Sequence, residues 1–169
     1  MILFYGIQRL SNMNEFYKVK ILKKSSEELA NVFKDEFIGL ILFGSWARGE
    51  AKADSDIDLL IVFKSLKGFD IRAIAYSIIA KQVKMPLTLV DIRLSELVSN
   101  DYELTPLMLN ILYDGIIIWD KYGLLKDFVE KGRRLIEKMK LVRYKTQDGK
   151  YGWKRIDEKP IALCGIVSE

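Results

Sequence analysis

Apolar residues along the first third of the chain recur near a helical period. Phe16, Val19, Ile21, Leu22, Leu29, Val32 and Phe33, with lysines and glutamates between them, predict an amphipathic helix from about Asn14 to Asp35. The pattern then becomes continuous. Phe37 to Phe43 is an unbroken apolar run closed by Gly44, the signature of a strand buried on both faces. A polar stretch from Ser45 to Ser55 leads into a second strand, Asp56 to Phe63. Ser65 to Asp70 turns the chain, Ile71 to Lys84 reads as a helix stopped by Pro86, Leu87 to Ile92 as a third strand and Leu94 to Val98 as a short helix. Leu104 to Tyr113 is helical with Pro106 in its first turn, and Asp114-Gly115 is a turn before a strand from Ile116 to Trp119. Tyr122 to Lys140 forms a basic amphipathic helix, and Leu141 to Ile156 alternates around Asp148-Gly149 as a hairpin.

This order of helices and strands predicts a mixed α/β (α+β) domain, a small mixed sheet flanked by helices, with a C-terminal helix and β-hairpin extension. The expected divisions are an N-terminal extension at residues 1–13, the main domain at 14–120 and the basic extension at 121–169. The 169 residues fit one ordinary domain with a modest appendage.

Composition narrows the chemistry. The sequence contains no histidine, which excludes Ser-His-Asp and Cys-His catalysis, histidine general bases and histidine zinc sites. Its single cysteine, Cys164, excludes an intrachain disulfide and an all-cysteine metal cage, and reads as an inert thiol. Catalysis must rest on carboxylates, hydroxyls, lysine or arginine, so a hard, oxygen-bound metal such as Mg²⁺ is the leading cation. Met1 to Ile7 lacks the basic start and the length of a signal peptide, and no apolar run approaches a spanning helix. The expected location is the cytoplasm.

The informative stretch is Leu42-Phe43-Gly44-Ser45-Trp46-Ala47-Arg48-Gly49, continuing to Asp54-Ser55-Asp56-Ile57-Asp58-Leu59-Leu60. A glycine ending a buried strand lets backbone approach a ligand closely, and free N–H groups at a helix start attract phosphate. The Ser45 hydroxyl adds a donor. Asp56 and Asp58, two apart on a strand, face one side about 6.5–7 Å from each other. At an effective dielectric near 20 their repulsion is roughly 2–3 kcal/mol, a cost that a bound cation would relieve. On the third strand Leu87, Leu89 and Asp91 share a face, and Asp91 joins the pair if that face is the right one. Three carboxylates on neighbouring strands would form a cage for in-line phosphoryl or nucleotidyl transfer.

Gly44-Ser45 followed by Asp56-Ile57-Asp58 between two apolar strands resembles the signature of the DNA polymerase beta nucleotidyltransferase superfamily. The Arg48-Gly49 and Ser55-Asp56 contexts are most similar to its small prokaryotic branch, the minimal nucleotidyltransferases of antitoxin type. Asp91 in Leu89-Val90-Asp91-Ile92 matches the third acidic position of that pattern, and the likeness covers residues 37–92 well. The resemblance implies a nucleotidyltransferase fold and transfer of a nucleoside monophosphate from an NTP, ATP first among them, to an acceptor hydroxyl on a protein or RNA, with pyrophosphate release. It implies Asp56, Asp58 and Asp91 as catalytic and metal ligands for two Mg²⁺ ions, with Mn²⁺ a substitute. Gly44, Ser45 and Arg48 would bind the nucleotide, although Arg48 has an alternative partner in Glu50. A helical partner protein of a toxin–antitoxin pair is the implied associate, and no membrane is. The alternative is a non-catalytic antitoxin or nucleic-acid-binding module that keeps the fold.

Three smaller readings complete the picture. Trp46 at a helix start suits packing better than base stacking. Asp54 fits a solvated turn. The net charge of +4 is concentrated: residues 131–155 carry ten basic and two acidic side chains. With Tyr144, Tyr151 and Trp153 interleaved, that segment reads either as a solvated surface or as a site for RNA or an acidic partner.

Overall fold

The structure, a computed structural model, describes residues 13–99, 104–159 and 161. The expected extension at residues 1–13 and Cys164 therefore fall almost wholly or wholly outside the described residues. Helix α1 (Met13–Phe33) ends in a 3₁₀ turn, Lys34–Glu36, and leads into β1 (Phe37–Phe43), every residue of which is buried. A five-residue helix α2 (Gly44–Arg48) follows directly, then β2 (Ile57–Phe63), α3 (Phe69–Val83), β3 (Leu87–Arg93) and the single turn α4 (Leu94–Leu97). The chain continues through α5 (Pro106–Asp114), β4 (Ile116–Asp120), α6 (Leu124–Lys138) and a hairpin of β5 (Leu141–Lys145) and β6 (Tyr151–Arg155).

Four strands form one mixed sheet in the order β3-β2-β1-β4. β1 runs antiparallel to both β2 and β4, with Phe43 opposite Asp58. β2 and β3 are parallel, joined through α3, and their register sets Asp58 beside Thr88 and Ile61 beside Asp91. That register fixes which side chains share a face.

One face of the sheet presents Leu40, Leu42, Ile57, Leu59, Ile61, Leu87 and Leu89 to α1 and α3, which contribute Leu22, Leu29, Ala75 and Ile79. The opposite face presents Ile41, Phe43, Leu60 and Val62 to α5 and α6, through Met108, Leu112, Leu125 and Val129. Because both faces are covered, β1 and β2 read as continuous apolar runs, as the sequence pattern indicated. Burying each such Leu or Ile contributes about 1.5–3 kcal/mol relative to exposure. Phe33 meets Phe63 edge-on at 5.0 Å between ring centroids, closing the joint between α1 and the sheet.

The α5–α6 contact needs a small residue. A Cβ on Gly132 would lie 2.4 Å from Cδ2 of the buried Leu112, so any side chain there pushes the helices apart. Next to it, the Arg133 guanidinium donates to the carbonyls of Leu112 (2.9 Å) and Gly115 (3.3 Å), satisfying acceptors at the end of α5.

Element bounds differ from the sequence expectation by one or two residues in several places, and two differences bear on the site. A helix starts at Gly44, as the sequence indicated, and its Trp46 and Ala47, within the stretch read as polar, are buried against the α1 face. Two apolar positions in five residues are too few to show a period. β2 begins at Ile57, which leaves Asp56 just ahead of the strand. Among the described residues, no helix is long and apolar enough to cross a membrane.

Candidate active site

The end of β1 and the start of β2 lie side by side because the strands are antiparallel, and this places Asp58 against the joint between β1 and α2. Gly44 makes that joint with a φ of +72°, a conformation costly for any residue with a Cβ. A Cβ built there would sit 1.9 Å from Asp58 Oδ2. The glycine is thus required twice, once for its backbone and once for the space the Asp58 carboxylate occupies. Ser45, in the first turn of α2, is half-buried.

Asp58 is half-buried and Asp56 is exposed. Burial, followed by the charge of Asp56, pushes the Asp58 carboxyl above its ordinary value, and the nearby Arg48 guanidinium partly offsets this. A partly buried carboxylate with a second one two residues before it, beside a turn that lacks a side chain, fits a divalent cation with oxygen ligands.

Asp91 is not brought to this pair. The parallel register sets it beside Ile61, on the face buried under α1 and α3, while Asp58 shares the α5–α6 face with Leu60 and Val62. It also lies three residues further along its strand than Thr88, the neighbour of Asp58, a distance of about 10 Å. Its side chain is 6% exposed and pairs with Arg72 of α3 at 3.1 Å. The three-carboxylate cage expected from the sequence is therefore corrected to a pair. Among the described residues, no group of three potential ligands is placed to hold a metal ion.

Arg48 takes the ion pair. Its Nε donates to Glu50 at 2.9 Å and its Nη1 lies 3.5 Å from Asp114. Trp46 packs, as expected, with its indole N–H donating to the Ser55 carbonyl at 3.2 Å. Asp54 stands exposed in its turn.

The sequence reading missed the cluster beside Arg48. Asp114, read as a turn residue, is 3% exposed and binds both Arg48 and Arg143. Arg143 comes from the hairpin, and its guanidinium lies 4.3 Å from the Tyr151 ring centroid, with Arg48 at 4.6 Å from the same ring. Tyr151 donates its hydroxyl to Glu50 at 2.5 Å, and Trp153 donates to Asn110 at 3.0 Å. Arg48, Glu50, Tyr113, Asp114 and Arg143 line a cavity of about 330 Å³, and the Arg48 charge also reaches Asp58. The interleaved aromatics of the tail were the available signal. They mark docking of the hairpin onto α5 and α2, and Arg133, Arg143 and Arg155 serve internal partners.

Comparison with known proteins identifies the family. Residues 22–144 match the nucleotidyltransferase domain family. A Methanocaldococcus jannaschii protein named "Putative protein adenylyltransferase" is 30% identical over 135 residues, spanning 76% of this chain and 89% of that protein. A second protein of the same name and organism is 38% identical over 48 residues, spanning 28% of this chain and 48% of that protein. Among solved structures, a toxin–antitoxin crystal structure with AMP-PNP superposes on 70% of this chain and 89% of its own, with a TM-score of 0.50 and 18% identity. That likeness concerns the fold. With a family match that contains the Gly44 turn, Asp56 and Asp58, the chain belongs to the nucleotidyltransferase domain family.

Proposed function

We propose that this nucleotidyltransferase moves a nucleoside monophosphate from an NTP, with ATP the preferred donor, to a hydroxyl group on a partner protein. The observation that carries the reading is the Asp58 carboxylate packed against the side-chain-free turn at Gly44, with Asp56 two residues before it. The 30% identical relative named for protein adenylyltransfer supports both the adenylyl donor and the protein acceptor. A helical partner of a toxin–antitoxin pair is the acceptor class, a reading supported by the fold likeness to the toxin–antitoxin structure with AMP-PNP.

Asp56 and Asp58 would hold Mg²⁺, or Mn²⁺ in its place. A divalent ion in such a site neutralises triphosphate charge and favours departure of pyrophosphate. Gly44 leaves room for the Asp58 carboxylate at the turn, while the backbone N–H groups that start α2 and the Ser45 hydroxyl would donate to phosphate oxygens. Arg48, held by Glu50 and Asp114, sets positive potential at the edge of the same cleft. The acceptor hydroxyl gives its proton to water as its oxygen bonds in line to the α-phosphorus and the bond from that phosphorus to the pyrophosphate oxygen breaks. Positioning and charge neutralisation supply the rate, with no covalent intermediate on the enzyme.

The test uses ATP labelled at either the α- or the γ-phosphate, incubated with the protein, Mg²⁺ and a cell extract. Label from the α-position should enter a protein band while γ-label leaves as pyrophosphate. Entry of γ-label into protein would make the chain a kinase, and α-label in the RNA fraction alone would remove the protein acceptor.

A further inference from the structure

The correction at Asp91 raises the question of what β3 does present to the acidic pair. β2 and β3 are parallel and paired without a bulge from Ile57–Leu87 to Phe63–Arg93, so partners point to the same face. Asp58 is paired with Thr88. Adjacent strands lie about 4.8 Å apart, which brings the Thr88 side chain beside the Asp58 carboxylate. Thr88 is exposed, so its side chain meets solvent and is not buried in the core. Asp91, by contrast, is sealed under α3 by Arg72.

We infer that Thr88 is the residue with which β3 closes the cation site, so the site has two carboxylates and a neutral hydroxyl in the position where a third carboxylate would complete a cage. The inference rests on the proposed metal-binding role of Asp56 and Asp58. A neutral third neighbour lowers the site's negative charge by one and leaves the acceptor hydroxyl without a carboxylate base on β3. The cation is consequently held weakly by the protein alone and gains its remaining ligands from triphosphate oxygens and water, as Mg²⁺ commonly does. Asp91 is a positioning residue for α3.

The experiment is Mn²⁺ titration of the full chain, followed by electron paramagnetic resonance, together with thermal melts with and without Mn²⁺. Parent, T88D, D91N and D58N proteins are compared. T88D should bind Mn²⁺ at least tenfold more tightly than the parent. It should also melt lower than the parent in chelator, because a third charge is added, and recover on adding Mn²⁺. D91N should stay within about twofold of the parent, because Asp91 lies on the opposite face of the sheet from Asp58. Weakening by D91N as severe as that by D58N would overturn the inference. So would a T88D protein that folds normally and binds Mn²⁺ as the parent does while D58N loses binding; the acidic-pair reading would then stand without Thr88. If D58N itself leaves Mn²⁺ binding unchanged, the acidic-pair reading fails and this inference with it.

Discussion

Gly44 and Asp58 constrain each other, and substitutions at the two should behave differently. Gly44→Ala puts a methyl group where the Asp58 carboxylate lies and holds a non-glycine residue at φ +72°. The backbone term alone costs about 1–2 kcal/mol, so melting should drop by several degrees and triphosphate binding should weaken with it. Asp58→Asn removes a charge that burial and Asp56 both penalise, and leaves no cavity. In chelator its melting temperature should equal or exceed the parent's, and a clear drop would make Asp58 a structural residue. The pair was legible in the sequence because spacing two apart places both side chains together within one stretch. The failure at Asp91 has a definite cause. Alternation shows that Leu87, Leu89 and Asp91 share a face, but which face depends on pairing with β2, and nothing inside β3 encodes that register. Thr88 carried no signal in the sequence for the same reason.

Among the elements, α4 and α6 offer the sharpest tests. The Glu96 carboxylate accepts from Lys67 at 2.7 Å and from the Arg93 backbone N–H at 2.9 Å. The Lys67 hydrogen bond first, then the Arg93 N–H, pull its pKa down from 4.5 to about 2. A depressed carboxylate stabilises the fold above its unfolded pKa, and that contribution fades as pH falls from 4.5 through about 2. Glu96→Gln should therefore melt below the parent at pH 6 and converge with it near pH 2, as followed by circular dichroism. Equal melting curves at both ends would mean that the capping contact contributes nothing. For α6, Gly132→Ala must push into the buried Leu112. Overpacking of about 1–3 kcal/mol outweighs a gain in helix propensity of about 1 kcal/mol or less, so urea denaturation should show net destabilisation. The long elements were legible from hydrophobic period and their turn residues. Of helix α2 only the start was legible, because five residues complete barely more than one turn.

At the scale of the whole molecule, the sheet, the acidic pair and the C-terminal hairpin form one structure. The hairpin is fastened by Tyr151 to Glu50, Trp153 to Asn110 and Arg143 to Asp114, and Asp114 also holds Arg48. Trp153→Ala should raise amide hydrogen exchange in residues 141–155 at least tenfold while β1 and β2 keep their protection. Unchanged exchange would mean that the hairpin stands by its own ladder. The positive charge of this segment was visible in composition, but its use was not, because a contact between Arg143 and Asp114 links positions distant in sequence. The central claim is that Asp56 and Asp58, set against the Gly44 turn, form the site for a metal-bound triphosphate. Calorimetric titration with a non-hydrolysable ATP analogue, with Mg²⁺ or with chelator, tests it most directly. The parent should bind only with Mg²⁺, and Asp58→Asn should lose at least tenfold in affinity while remaining folded. Equal binding in chelator, or undiminished binding by a folded Asp58→Asn protein, would contradict the account.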